Sequence, residues 1–355
     1  MNQIFPYDWL NQPIAVIDES FAQQAQLRQA QLTKPPGSLG RLEEIAVRLA
    51  ALQHTERPSI ESIHITVFAG DHGIATENIS AFPQSVTVEM IKNFARGGAA
   101  INVLARAHNA SLEVVNLGTI SDTSFITPVE THSLGPGTAN FLHHSAMTPE
   151  QLASTLQIGC DVIDRFSRNN YKLLFIGGEM GIGNTTSATA LACYILNLPP
   201  EQLTGAGTGL DKQGVMHKTQ VIARALARHR EEIHSPLDAL QHLGGFEIAA
   251  LTGAYIRCAQ TAIPVLIDGF ISTVAALIAV SMIPASQRWF IFSHVSEEKG
   301  HRIILEHLSA QPLLDLHMRL GEGSGAAVAI SLLHMACQLH NEMATFGEAA
   351  VSQKI

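Results

Sequence analysis

The sequence predicts an α/β fold, a parallel sheet flanked by helices, with a smaller helical domain formed by the N- and C-terminal segments. Three observations carry this. Short apolar runs suited to buried strands recur at 63–69, 112–117, 173–177, 264–268 and 289–293. Alanine-rich, helix-compatible stretches lie between them, notably at 99–107, 186–196, 220–230 and 271–280. Strands that alternate with helices pair in parallel. Four of the runs also lead straight into polar or glycine-rich residues, as expected where ligands gather outside the carboxyl ends of such a sheet.

Taken in order, the helical pattern from 17 to 32 is interrupted by Lys34-Pro35-Pro36-Gly37-Ser38-Leu39-Gly40, and the two prolines end the first helix. Ser38 then stands where it would cap a second helix running through Leu42, Ile45, Ala46 and Leu49. Residues 1–60 are expected to form an N-terminal helical segment that packs with a final helix and tail over 338–355. Residues 61–337 are left as one large α/β catalytic domain. The 355-residue chain is 46% apolar and only 15% charged, which suits a broad interior and a buried subunit interface, hence an oligomer.

Charge excludes several roles. With 22 basic against 31 acidic side chains, a net charge of −9 and no basic tract, the surface suits neither nucleic acid nor an anionic membrane. An anionic substrate must therefore be held by local donors. Cys160, Cys193, Cys258 and Cys337 lie far apart without C-x-x-C spacing and read as buried thiols in a reducing cytosol. The N-terminus carries Asp8, Asp18 and Glu19 instead of a basic export signal, and no stretch of about 18 uninterrupted apolar residues appears. Seventeen histidines occur without an H-E-x-x-H, so no metal is expected.

The most informative segment is Gly321-Glu322-Gly323-Ser324-Gly325, one carboxylate on a backbone that is otherwise nearly all glycine. Such a glutamate can approach a ligand closely, with free N–H groups beside it for an anion; a surface turn whose Glu faces water is the competing reading. Gly177 to Thr186 reads as strand, glycine-rich turn and a helix capped near Asn184 or Thr185, an anion site that lacks the lysine of a nucleotide-triphosphate loop. Thr204-Gly205-Ala206-Gly207-Thr208-Gly209 is a second such turn, with Lys218 following on a helix-compatible stretch. Phe82, Pro83 and Gln84 suit a slot for a flat heterocycle, Phe82 and Met90 also being plausible core residues. Asp71 and His72 could be an acid/base pair or a loop-stabilising pair. Because Gly321 to Ala326 also matches G-x-G-x-x-A with Glu342 downstream, an NAD-dependent dehydrogenase is an alternative. A non-catalytic phosphoribosyl-ligand sensor is a third reading, independent of that match.

Read together, Lys34-Pro35-Pro36-Gly37-Ser38-Leu39-Gly40-Arg41-Leu42-Glu43, Asp71-His72-Gly73, Gly178-Glu179-Met180-Gly181-Ile182-Gly183-Asn184-Thr185-Thr186, Leu266-Ile267-Asp268-Gly269-Phe270, Ser293-His294 and Arg319-Leu320-Gly321-Glu322-Gly323-Ser324-Gly325 resemble the nicotinate-nucleotide:dimethylbenzimidazole phosphoribosyltransferases. The resemblance spans about residues 31–336. It implies a Rossmann-like sheet and a cytoplasmic homodimer that needs neither metal nor cofactor. The implied reaction moves ribose 5-phosphate from nicotinate mononucleotide to 5,6-dimethylbenzimidazole, giving α-ribazole 5′-phosphate and nicotinate for the cobalamin nucleotide loop. It assigns catalysis to Glu322 and Glu179, phosphate and ribose contacts to Gly181, Gly207, Lys218, Ser293 and Gly325, and the base slot to Phe82, Gln84, Met90 and Leu320.

Overall fold

Six strands form one parallel sheet in the computed structural model, which describes residues 7–167 and 173–352. They are β1 Ser62–Gly70, β2 Ser111–Gly118, β3 Glu130–Thr131, β4 Leu173–Met180, β5 Val265–Ile267 and β6 Phe290–Phe292. Their order across the sheet is β3-β2-β1-β4-β5-β6. The chain moves outward from β1 to β3 and then returns to lay β4 against the other edge of β1. A crevice opens at such a reversal, beyond the carboxyl ends of the two central strands. β1 and β4 pair from Ser62/Leu173 to Ala69/Met180, so Gly70 and Gly181 emerge side by side at that point. Both strands are buried almost throughout, as a parallel sheet covered on both faces requires.

The helices are α1 Glu19–Gln31, α2 Arg41–Leu52, α3 Ser85–Ala95, α4 Ala100–Ala107, α5 Pro149–Ser167, α6 Asn184–Leu196, α7 Pro200–Leu203, α8 Lys212–His229, α9 Pro236–Leu243, α10 Phe246–Gln260, α11 Phe270–Met282, α12 His301–His307 and α13 Ser324–Glu342. The parallel α/β class and the five strand positions expected from the sequence are present. β3 is an addition to them: it is a two-residue edge strand in a stretch of threonine, serine, glycine and proline with no apolar run to announce it.

The ends of the chain lie together. Arg28 donates to the carbonyls of His340 and Asn341 at 2.7 and 3.0 Å, and Phe346 N–H donates to Gln31 O at 2.8 Å. Residues 1–6 and 353–355 of the expected terminal units fall outside the described residues. The boundary expected at 337/338 runs through the middle of α13, one uninterrupted helix from Ser324 to Glu342. Ile17, Ile45 and Leu49 also belong to the same apolar core as the sheet. The cap expected of Ser38 is not made. α2 starts after Gly40, and it is Glu43 that accepts Leu39 N–H at 3.0 Å while pairing with Lys34 at 2.9 Å.

Two glycines set the distance between α5 and α10. A Cβ on Gly159 would lie 2.0 Å from Ala250 O, and one on Gly253 would lie 2.3 Å from Leu156 O. These helices cross backbone to backbone. Gly159→Ala gains about 1 kcal/mol of helix propensity yet forces the helices apart, so a net loss of about 1–3 kcal/mol is expected. Urea denaturation checks this; an unchanged or raised midpoint would mean that the crossing relaxes freely.

Candidate active site

Glu322 stands on a turn of three left-handed residues: Gly321 at φ +91°, Glu322 at +66° and Gly323 at +86°. A non-glycine residue there costs roughly 1–2 kcal/mol, so something must hold it. Asp268, just past the end of β5, supplies that restraint. Its carboxylate accepts Gly323 N–H at 3.2 Å and Ala326 N–H at 2.9 Å, capping α13 from a neighbouring strand end. The turn also rests on β4, where a Cβ on Gly178 would come within 2.3 Å of Glu322 O. Glu322 is 5% exposed, so it does not sit on a surface turn facing bulk water. Ile101 N–H, in the first turn of α4, donates to its Oε2 at 3.4 Å.

Glu179, at the end of β4, lies against the same turn and is 6% exposed. A Cβ on Gly321 would lie 2.3 Å from its Oε1, so a side chain at 321 would displace it. Its Oε2 accepts a hydrogen bond from the Asn184 amide. This bond occupies the side chain expected to cap α6; Gly183 takes the cap position instead, at φ +105° and with no side-chain hydrogen bond.

Both carboxylates line a cavity of about 380 Å³ with Asp268, His294, Thr185 and Arg319. Phe82, Met90, Leu320, Gly181 and Gly207 line it as well. A larger groove of about 680 Å³ between α1 and α2 contains none of these residues. Lys218 lies one layer back. It is buried, its Nζ donates to Thr185 Oγ1 at 2.6 Å, and a Cβ on Gly207 would be 3.1 Å from that ammonium.

Four expected site residues do not line the cavity. Gln84 turns its amide to His72 O at 2.7 Å. Ser293 is fully buried, its Oγ 3.1 Å from His294 Nδ1. Gly325 lies beneath the same ring, where a Cβ would come within 2.0 Å of His294 Nδ1. Lys218 is screened by Thr185. Nor do Asp71 and His72 pair. Asp71 accepts Ile120 N–H at 3.0 Å, whereas His72 Nε2 meets Glu247 Oε1 at 2.7 Å with both side chains wholly buried. Asp268, Asn184 and Glu247 receive no site role from the sequence. A carboxylate immediately after a buried strand is the available signal for Asp268.

The dehydrogenase alternative loses its geometry. Residues 313–320, ahead of the G-x-G-x-x-A match, form no strand, and Glu342 is the last residue of α13, a helix length away from the turn.

A family profile described as phosphoribosyltransferase matches residues 14–351. The chain belongs to this family. It is 56% identical over 345 residues to the nicotinate-nucleotide–dimethylbenzimidazole phosphoribosyltransferase of Xanthomonas axonopodis pv. citri, covering 97% of this chain and 99% of that protein. The Pseudomonas fluorescens protein of the same name is 56% identical over 346 residues, 98% of each chain. Among solved structures, the crystal structure of CobT from Thermus thermophilus superposes with a TM-score of 0.89 at 42% identity, covering 94% of this chain and 100% of that one. The family assignment makes the chain a transferase and sets the dehydrogenase reading aside.

The electrostatics of this phosphoribosyltransferase site oppose its stability. Burial, then the charges of Glu247, Asp268 and Glu322, push the Glu179 carboxyl well above the usual carboxylate range. Burial is also the main cause raising Glu322, with Asp268 adding to it and the Ile101 N–H working against it. Lys218 is lowered to about 8 by burial, against the pull of Glu298. Since the unfolded chain holds the lysine proton up to about 10.4, that burial cost is present below about pH 8 and is relieved as pH rises above it. The carboxylates behave oppositely: their folded-state pKa values are raised, so stability is gained as pH falls through them. Glu179→Gln is therefore expected to be ~0.5–2 kcal/mol more stable than the parent near neutral pH, the gap closing as pH falls towards the ordinary glutamate range. Melting curves against pH provide the check, and a variant less stable at pH 7 would show that Glu179 is held charged by compensating contacts.

Proposed function

We propose that this chain transfers ribose 5-phosphate from nicotinate mononucleotide to 5,6-dimethylbenzimidazole, giving α-ribazole 5′-phosphate and nicotinate, with Glu322 as general base. The observation that carries the reading is the pairing of a shielded carboxylate with an apolar slot. Glu322 lines one cavity with Phe82, Met90 and Leu320, and Glu179, Gly181 and Gly207 line it too. At about 380 Å³ the cavity lies within the ordinary range for small-ligand pockets.

The donor is already activated, because the positive charge on its pyridinium ring disappears when the glycosidic bond breaks. No acid need protonate the leaving group. The benzimidazole attacks C1′ through its unprotonated nitrogen, and its remaining N–H then becomes strongly acidic. Glu322 takes that proton; its raised proton affinity brings it nearer the operating pH, where a base is most effective. Attack on the face opposite nicotinate inverts C1′ and gives the α linkage. Glu179, which lines the same cavity, stabilises the electron-poor sugar as the bond to nicotinate lengthens. Lys218 favours the 5-phosphate from behind Gly207 and Thr185, joined at the cavity wall by the Gly181 backbone. The loop bearing Phe82 is tied to this side through Ala81 N–H, which donates to Thr208 Oγ1 at 3.0 Å.

We place the enzyme in the cytosol as a homodimer. Four free, buried thiols suit a reducing compartment, and Val16, Leu27 and Val103 present apolar surface that a second copy would cover.

Glu322→Gln is expected to bind the benzimidazole nearly as tightly as the parent while turnover falls at least ~10²-fold, the lower end of what a positioned base supplies. Quantifying α-ribazole 5′-phosphate at saturating substrates tests this. Turnover at the parental rate would remove Glu322 from the base role, and tight binding of both substrates by the parent without product would favour a sensor.

A further inference from the structure

Away from the cavity, three side chains with metal-binding chemistry converge where the carboxyl ends of α8 and α9 meet. His229 is the last residue of α8, Glu232 follows three positions on, and His242 lies in the last turn of α9. Glu232 Oε2 is 2.7 Å from His229 Nδ1 and 3.4 Å from His242 Nδ1. One ligand atom from each residue falls within 4.8 Å of the other two. The imidazole rings are 4.9 Å apart and inclined at 48°, so they converge without stacking.

The hydrogen bonding of His229 fixes which nitrogen is available. Its Nε2 is 2.8 Å from Phe141 O, and a carbonyl only accepts, so Nε2 carries the hydrogen. In the neutral ring Nδ1 is then a lone pair, buried and aimed at a carboxylate oxygen 2.7 Å away. Two acceptors at that separation require a cation, either a proton on the ring or a metal ion. A histidine that donates its far N–H to a backbone carbonyl is also the usual support of a metal ligand. The negative ends of the α8 and α9 dipoles meet here, which favours a cation. Glu232 is half exposed, which gives an ion a route in. Ser145 Oγ, 2.9 Å from His242 Nδ1, lies against the same ring nitrogen.

We propose that His229, Glu232 and His242 bind one divalent transition-metal ion of the zinc class, with water completing the coordination. Two imidazoles and a carboxylate suit zinc, and tetrahedral bonds of ~2.0–2.1 Å place ligand atoms ~3.3 Å apart. The Glu232–His242 spacing already meets this, a sub-ångström shift of the half-exposed Glu232 satisfies His229, and the two imidazole nitrogens, within 4.8 Å of each other, must close by at most about 1.5 Å. The ion's role is structural. His229 is eleven residues beyond Lys218 on α8, about 16 Å at 1.5 Å per residue, so the ion clips the far end of the helix that carries the lysine to the cavity. It also secures the 138–147 loop, whose Ala146 N–H donates to His242 O at 3.1 Å.

The test is calorimetric titration of the full chain with Zn²⁺ after dialysis against chelator, paired with Co²⁺ absorption spectra. One site per chain, a Tm that climbs with Zn²⁺, and a tetrahedral Co²⁺ band are expected. Glu232→Gln and His242→Ala should each weaken binding at least tenfold, with folding verified by circular dichroism. His317→Ala, in the exposed Glu297–Asp315–His317 cluster, should leave it unchanged. Absence of a stoichiometric site in the parent, affinity unmoved by both variants, or affinity lost with His317→Ala would overturn the assignment.

Discussion

The carboxylate of Asp268 under the first turn of α13 is the interaction on which the rest of the site depends. It binds the N–H groups of Gly323 and Ala326, fixing where the helix begins and therefore where the preceding left-handed turn must lie. Hydrogen bonds to a charged group contribute roughly 1.5–3 kcal/mol each. Two of them offset the roughly 1–2 kcal/mol needed to keep a glutamate at positive φ. The cap comes from the residue directly after β5, which is paired in the sheet, so the turn inherits the rigidity of the strands and not the mobility of a surface loop. The missing side chain of Gly178 lets the turn settle onto β4, so Glu322 is referenced to two strands at once.

That arrangement concentrates charge where a fold would avoid it. Glu179, Glu247, Asp268 and Glu322 are all buried, and each of the other three raises the proton affinity of Glu179. Compensation is local. Asn184 donates to Glu179, His72 meets Glu247, and Asp268 has its two backbone N–H groups with His294 Nδ1 at 3.8 Å. His301, pushed down to about 3 by burial, is neutral and holds the 293–298 segment through Thr273 and Ser296 N–H. Stability given up at the cavity is recovered in the packed sheet and in the close α5–α10 crossing.

Much of the fold is legible in the sequence because it depends on local pattern. Buried parallel strands are continuous apolar runs, so β1, β2 and β4 stand out; β5 and β6 lie where apolar runs predict them but are only three residues long. The loops bearing Glu179 and Glu322 are legible through their glycines, whose missing side chains permit the contacts seen at Gly178 and Gly321. Long-range pairing is not. That His72 finds Glu247, 175 residues away, and not the adjacent Asp71 depends on where α10 begins relative to β1. Asn184 reads locally as a helix cap and is diverted by a carboxylate five residues back. Gln84, Ser293 and Gly325 sit on segments that border the cavity, but the directions of their neighbours keep them out of its lining.

Glu322 can serve as the base only if it is shielded enough to hold a proton more tightly than an ordinary glutamate. The most direct measurement is a carbon-13 NMR titration of the glutamate carboxyls, with Glu322→Gln identifying the resonance that disappears. That resonance is expected to titrate above the ordinary value of about 4.3. A midpoint at or below it would place the carboxylate in a solvated or strongly ion-paired setting and contradict the site described.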